Sequence, residues 1–142
     1  MLYESDVSSA VVKHLKKNGY KIVQELKPTQ KGIDIIAEKG NEVLCIEAKG
    51  ETSFRKGSNR YGKAFHSGQV THHVARALYS TIRDFELKEF GRNTKVAMAF
   101  PDTPEFRKRV GCVYKSIKRL KIPVYLVASN RKVSLASASS FQ

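Results

Sequence analysis

The chain is poor in cysteine, lacks any long apolar run and carries half as many acids as bases. Its two cysteines, Cys45 and Cys112, stand far apart, so they make neither a disulfide framework nor a paired metal motif. No stretch approaches the 18 consecutive apolar residues that mark a membrane-spanning helix, and nothing at the start resembles a secretory leader. These absences favour a cytoplasmic protein with two free thiols and no membrane partner. No internal repeat appears. At 142 residues the chain has the size of one domain with a real core. Residues 1–136 read as that domain, and 137–142, small and polar, as a frayed tail.

The scarcity of acids has a pattern. Lys and Arg number 26 against 13 Asp and Glu, a net charge of +13. Residues 21–49 balance at five bases and five acids, and residues 67–90 at three of each. The excess lies in residues 50–66, with four bases and one acid, and in 91–122, with nine and two. Positive charge gathered in this way attracts a polyanion, and nucleic acid is the first candidate. Ribosomal and membrane-surface proteins are also basic, so charge alone does not decide.

What stands out against this background is the stretch from Lys31 to Gly50, KGIDIIAEKGNEVLCIEAKG. Ile33, Ile35, Ile36 and Ala37 form one apolar run and Val43, Leu44, Cys45 and Ile46 a second, with a turn at Lys39-Gly40-Asn41. Both runs have the length and residue types of strands. Asp34 interrupts the first run, and Glu47 and Lys49 close the second. On a strand Glu47 and Lys49 point to one face while Ile46 and Ala48 point to the other. Carboxylates and an ammonium beside apolar sequence are costly unless paired, metal-bound or solvated in a cleft. Carboxylate oxygens at Asp34 and Glu47 suit a hard cation such as Mg²⁺ or Mn²⁺. Lys49 could orient an attacking water or meet charge developing on phosphorus. The same residues also fit an edge hairpin with cross-strand ion pairs, each worth tenths to about 1 kcal/mol.

G-I-D, twelve residues and then E-A-K resembles the metal motif of the PD-(D/E)xK nuclease superfamily, with its restriction-endonuclease-like fold. One position departs from the pattern: Ile33 stands where that motif often has proline. The resemblance covers roughly Glu4 to Val127 and is nearest to Holliday-junction-resolvase-like and related small nucleases. It implies metal ligation by Asp34 and Glu47, with the Ala48 carbonyl as a further ligand and Lys49 as the catalytic lysine.

The flanking segments fall where that fold would put them. Val7, Ala10, Val11 and Leu15 recur at helical spacing, and Asn18-Gly19 stops the helix that they define over residues 4–18. Glu4 extends this stripe backwards and either complements the helix dipole or points into a cleft. In several branches of the family an N-terminal-helix glutamate completes the metal site, and Glu4 matches that place. Tyr20 to Leu26 reads as a strand. Residues 50–66 read as a long loop that interleaves Arg55, Lys56, Arg60 and Lys63 with Phe54, Tyr61 and Phe65. That mixture contacts phosphates and stacks on bases. His66, at the loop's end, is a candidate phosphate contact.

Ser67 to Phe85 reads as a long helix with Val70, Val74, Ala77, Leu78, Ile82 and Phe85 as its buried stripe. Gln69, His73 and Arg76 share a neighbouring face. Gln69 matches the family's polar residue on this helix, which lines the active site, while His73 and Arg76 are candidate nucleic-acid contacts. Thr94 to Phe100 reads as a strand. A third helix starts at Thr103-Pro104, with Phe106, Val110, Val113, Tyr114, Ile117 and Leu120 as its core stripe and Gly111 as a local weakness. Pro123 to Ala128 and Lys132 to Leu135 complete the strands. The order αβββαβαβ predicts an α/β/α sandwich around a central mixed sheet.

The combined expectation is an Mg²⁺- or Mn²⁺-dependent nuclease, an endonuclease acting on DNA phosphodiesters and working as a homodimer. The alternatives are a silent nucleic-acid-binding module of the same fold, an RNA-directed protein and a basic subunit that docks on acidic proteins.

Overall fold

The computed structural model describes residues 1–27, 29–52 and 67–142. Six strands form one sheet in sequential order: β1 (Lys21–Glu25), β2 (Ile35–Lys39), β3 (Glu42–Ala48), β4 (Thr94–Pro101), β5 (Val124–Val127) and β6 (Val133–Leu135). The pairs β1–β2, β2–β3 and β5–β6 are antiparallel, whereas β3–β4 and β4–β5 are parallel. Gly40, at φ +58, makes the two-residue turn of the β2–β3 hairpin, a backbone conformation that glycine adopts without steric cost. Among the described residues four α-helices cover the sheet: α1 (Glu4–Lys17), α2 (Ser67–Leu87), α3 (Pro104–Gly111) and α4 (Tyr114–Arg119).

Alternation along β3 and β4 assigns the helices to faces. Leu44, Ile46 and Ala48 of β3, with Ala97 and Ala99 of β4, meet Val7, Val11 and Leu15 of α1. Small side chains at three of those five strand positions let α1 lie close to the sheet. The opposite face holds Cys45, Val96, Met98 and Phe100, packed against Val70, Val74 and Ala77 of α2 and Phe106, Val110 and Ile117 of α3 and α4. This is the α/β/α sandwich with a central mixed sheet, as the order of elements predicts.

Three local expectations are corrected. In α2 the buried stripe runs through Val70, Val74, Ala77, Thr81 and Asp84, while Ile82 and Phe85 are exposed. The third helix is two helices, with a break at Cys112 and Val113 that leaves Val113 and Leu120 outside the core. The break follows Gly111, a poor helix former that ends α3, and a Cβ there would lie 3.3 Å from Phe141. Finally, where the polar C-terminus suggests fraying, Ala138–Phe141 forms a 3-10 helix. The Phe141 ring stacks at a tilt on Tyr114, with centroids 4.5 Å apart. Arg107 Nη1 donates to the Ser140 carbonyl at 2.8 Å, and Tyr114 Oη to that of Ala136 at 3.2 Å.

These contacts should carry measurable energy. Phe141→Ala is expected to lower the free energy of unfolding by on the order of 1–2 kcal/mol, through lost ring contact and burial. Urea titration of wild type and variant checks this; equal midpoints would mean that the end of the chain contributes nothing to the domain.

Candidate active site

The site lies where β3 ends. Strand β3 sits between β2 and β4, so the residues that close it are placed by hydrogen bonds on both sides. The Ala48 amide donates to a carboxylate oxygen of Asp34 at 2.8 Å, which ties the start of β2 to the end of β3. Asp34 is held through its backbone as well, since its carbonyl accepts from the Leu26 amide at 2.8 Å. Beside it, Gln24 Nε2 donates to the Ile33 carbonyl at 2.8 Å. On the other edge the Lys49 amide donates to the Ala99 carbonyl at 3.1 Å, so the β3–β4 pairing extends one residue beyond the strand.

Gly50 then brings in α1. A Cβ at this position would lie 2.3 Å from the Glu4 backbone nitrogen and 2.7 Å from the Tyr3 carbonyl carbon, so only glycine allows the contact. The Glu51 amide donates to the Leu2 carbonyl at 2.9 Å and pins the same approach. Glu4, in the first turn of α1, is thereby carried to the end of β3.

Electrostatics confirm that these side chains share one environment. Burial pushes the Glu47 carboxyl up to about 8, and the negative charges of Asp34 and Asp84 push the same way. The hydrogen bond between Glu47 and Asp34 pushes the Glu47 carboxyl further up and favours the charged form of Asp34. Asp34 is also raised by burial, against which the Ala48 amide and Lys49 favour its charged form. Glu4 rises to about 7, again through burial first and then through Asp34. The Lys49 ammonium opposes the rise at all three. Desolvated carboxyls that repel one another keep protons at neutral pH unless a cation replaces them.

Of the other expected residues, His73 is half-buried on α2 and lies within reach of the Lys49 charge. Burial, then Lys49, His72 and Arg76, depress its pKa to about 4, so its imidazole is neutral near pH 7. Gln69 is partly buried one turn earlier on the same helix face, and Arg76 is exposed one turn later. Arg55, Lys56, Arg60, Tyr61, Lys63 and His66 lie outside the described residues.

Asp84 is the residue that pattern reading missed. It is buried on α2, ion-paired with Arg83 at 3.6 Å, and its pKa is raised chiefly by desolvation. Its charge acts on Cys45, whose thiol burial already pushes up to about 11, and on Glu47. The signal was the 70, 74, 77, 81, 84 spacing, masked by the more apolar stripe one residue over.

Residues 3–93 match the family Mrr_cat, described as restriction endonuclease. The chain belongs to this restriction-endonuclease family. The matched span contains Glu4, Asp34, Glu47, Lys49 and Gln69, and the family is of PD-(D/E)xK type. Among solved structures, an fdxN element excision controlling factor protein from Anabaena variabilis is similar over 93% of this chain and 98% of its own, with a TM-score of 0.51 and 15% identity. That likeness shows the restriction-endonuclease-like fold. No curated protein matches. Among the described residues, no helix is long and apolar enough to cross a membrane.

As placed, no three of the described His, Cys, Asp and Glu side chains converge into a complete ligand set. Mg²⁺ does not need one: it binds through one or two carboxylates, with water and substrate phosphate filling its shell. The hydrogen-bonded pair Asp34 and Glu47 fits that requirement, since a hard cation would relieve the desolvation and mutual repulsion that raise both carboxyls.

The raised carboxyl pKa values make stability depend on pH with a definite sign. Groups raised from the usual 4.5 to about 7 and 8 bind more protons in the folded state, so they stabilise it below about 4.5. That stability is lost as pH rises through 7 to 8. In EDTA the melting temperature should therefore fall between pH 5 and pH 8, by on the order of 5 °C. Glu47→Gln should flatten the fall, and millimolar Mg²⁺ at pH 8 should reverse it in wild type only. Calorimetric melts in the two buffers check this; identical pH profiles for wild type and Glu47→Gln would refute the raised Glu47 carboxyl.

Proposed function

We propose that this protein is a metal-dependent endonuclease that hydrolyses DNA phosphodiester bonds. The observation that supports this most is the desolvated carboxyl pair of half-buried Asp34 and buried Glu47 beside the end of β3, with the Lys49 charge acting on both, in a chain of the restriction-endonuclease family. A plain hairpin ion pair would leave its carboxyls ionised and solvated. These are desolvated, and Glu47 keeps a proton well above its usual range.

Asp34 and Glu47 would hold Mg²⁺ or Mn²⁺, with the Ala48 carbonyl and Glu4 completing the donor set. When bound, the ion supplies Lewis-acid polarisation of the scissile phosphate. Every other part of the work falls to the chain itself. The Lys49 ammonium meets the negative charge that develops on the phosphoryl oxygens and orients the attacking water. Water adds to phosphorus while the bond to one ester oxygen breaks, and that oxygen leaves with a proton. Gln69 positions water and phosphate from α2. His73, neutral at working pH, gives or takes a hydrogen bond there without adding charge. The net charge of +13 draws the polyanion to the protein, with Arg76 and the bases of residues 50–66 as contacts.

The test is incubation of the protein with supercoiled, linear, single-stranded and branched DNA in Mg²⁺, Mn²⁺ or EDTA, with RNA as competitor. Cleavage in either metal and none in EDTA is expected. Lys49→Ala should slow single-turnover cleavage by on the order of 10²-fold, as loss of one preorganised donor does, while DNA affinity in Ca²⁺ changes little. Binding without cleavage by wild type in every metal would favour the silent module, and preferential cleavage of RNA the RNA-directed reading. Equal rates for wild type and Lys49→Ala would reduce E-A-K to an ordinary charged strand end.

A further inference from the structure

Two stretches from opposite ends of the chain meet in a groove that the nuclease reading leaves unused. It has a volume of about 230 Å³ and lies between α1 and the β5–β6 turn. Lys13, His14 and Lys17 line it from α1 over Ala10, and Arg131 and Lys132 line it from the turn. Steps of three and four residues put Ala10, Lys13, His14 and Lys17 on one side of the helix. Four of the lining residues are bases and none is an acid.

The turn is built to hold its bases there. Arg131 has φ +71, a left-handed conformation that glycine or asparagine takes at little cost. The surrounding hydrogen bonds keep an arginine in it. The Arg131 amide donates to the Ala128 carbonyl at 2.7 Å, and the Ala128 amide donates to the Lys132 carbonyl at 2.9 Å. The Lys132 amide in turn donates to Asn130 Oδ1 at 3.0 Å. Residues kept in such a conformation against its cost gather at functional sites. Across the groove, Arg131 Nη1 donates to Asp6 Oδ1 in the first turn of α1 at 2.9 Å. That single bond fixes the guanidinium and leaves most of its fork for a further anion. Lys13, Lys17 and Lys132 make no ion pair among the described residues.

The fold connects this groove to the candidate active site. Strands β3, β4 and β5 are parallel, so the turn after β5 lies at the same end of the sheet as Glu47 and Lys49. Helix α1 starts at that end with Glu4 and runs away from it. At 1.5 Å per residue, Lys13 stands about 14 Å beyond Glu4 along the helix, and Lys17 about 20 Å. A duplex advances 3.4 Å per base pair, so this distance covers about four to six base pairs. Charge favours a row of phosphates in the groove. Glu4 and Asp6 are the acids of α1, both in its first turn, and residues 123–142 contain none. Bases set on two walls of a groove admit the edge of a strand, whereas a flat lipid surface would meet only the rims.

We propose that this groove is a second phosphate-binding site for nucleic acid, holding the substrate backbone about four to six base pairs from the bond that is cut. The inference rests on the nuclease reading and adds the path of the substrate beyond the site.

The experiment measures fluorescence anisotropy of a labelled duplex of about 20 base pairs against the full chain in Ca²⁺, over a salt series. Lys13→Gln combined with Lys132→Gln should weaken binding about tenfold and flatten the log–log salt slope by about 1.8, roughly 0.9 for each lost contact. Lys21→Gln combined with Lys95→Gln removes the same charge near the starts of β1 and β4, at the other end of the sheet, and should leave the slope unchanged. Arg131→Gly should also weaken binding with unchanged circular dichroism, because glycine suits the backbone there but brings no guanidinium. Iron–EDTA tethered at Lys132→Cys, in a Cys112→Ser background, should cut the backbone about four to six base pairs from the position that the protein cuts in Mg²⁺. Wild-type affinity and slope in the folded Lys13→Gln/Lys132→Gln variant would overturn the proposal, and so would tethered scission that falls elsewhere. A variant that kept DNA binding but lost binding to phosphatidylserine vesicles would make the occupant a membrane and equally overturn it. A wild type that neither binds nor cuts DNA in any metal removes the nuclease reading and this inference together. One that cuts DNA while the variant binds normally removes this inference alone.

Discussion

The hydrogen bond from the Ala48 amide to the Asp34 carboxylate is the constraint on which the active end of this molecule depends. Asp34 stands just before β2, where no strand pairing of its own would fix its side chain. Spending a backbone donor of β3 on that carboxylate couples its position to the sheet. The same donor favours the charged form of Asp34, while burial and the neighbouring acids Asp34 and Asp84 push Glu47 up. A buried acid pair of this kind does not hold the fold together. Its burial costs stability that apolar contacts on both faces of β3 offset, and such a cost persists in a protein when the site is used.

From that bond the rest of the geometry is built in steps. Small residues at Ala48, Ala97 and Ala99 let α1 settle onto one face of the sheet. Gly50 lets its first turn touch the chain just past β3, and so Glu4 arrives beside Asp34. On the other face α2 reaches the same strand end with His73, while its middle packs on β4. The site is thus assembled from three elements that meet only because β3 is central.

How much of this was legible in the sequence depends on the period being read. The hairpin, with Asp34 before one strand and Glu47 closing the next, comes from two-residue alternation, which permits only one choice of face. The strand after α2 is equally plain from its alternation of large and small residues. Helical stripes are less decisive. In α2 two seams with the same spacing lie one residue apart, and the more apolar one, through Leu78, Ile82 and Phe85, reads as the core although the other is buried. Thr81 and Asp84 are polar side chains on the sheet-facing side, Asp84 buried against the repulsion of Glu89 and Asp34 with Arg83 as its counter-charge. The weakness at Gly111 was visible in the sequence, but the full break there and the seating of Phe141 against it are set by tertiary contact. The position of Glu4 could be expected from family resemblance, but the steric fit at Gly50 that delivers it belongs to tertiary structure alone.

A basic protein with an acidic heart faces opposed electrostatic demands. Under the proposed function the surface would attract a polyanion, whereas ionised Asp34, Glu47 and Glu4 would repel it. The described structure separates the two demands by desolvation. Burial keeps protons on Glu47 and Glu4, so the carboxyl cluster presents less negative charge than its composition implies. Burial also holds His73 neutral, which leaves the Lys49 ammonium as the cationic influence common to all three carboxyls and to His73. Attraction at long range is therefore set by exposed lysines and arginines, which salt screens. Interactions inside the site run through a poorly solvated space where screening is weak. Under the proposed function mutations on the two sets should be separable: loss of surface bases would act on encounter, and loss of Lys49 on the chemical step.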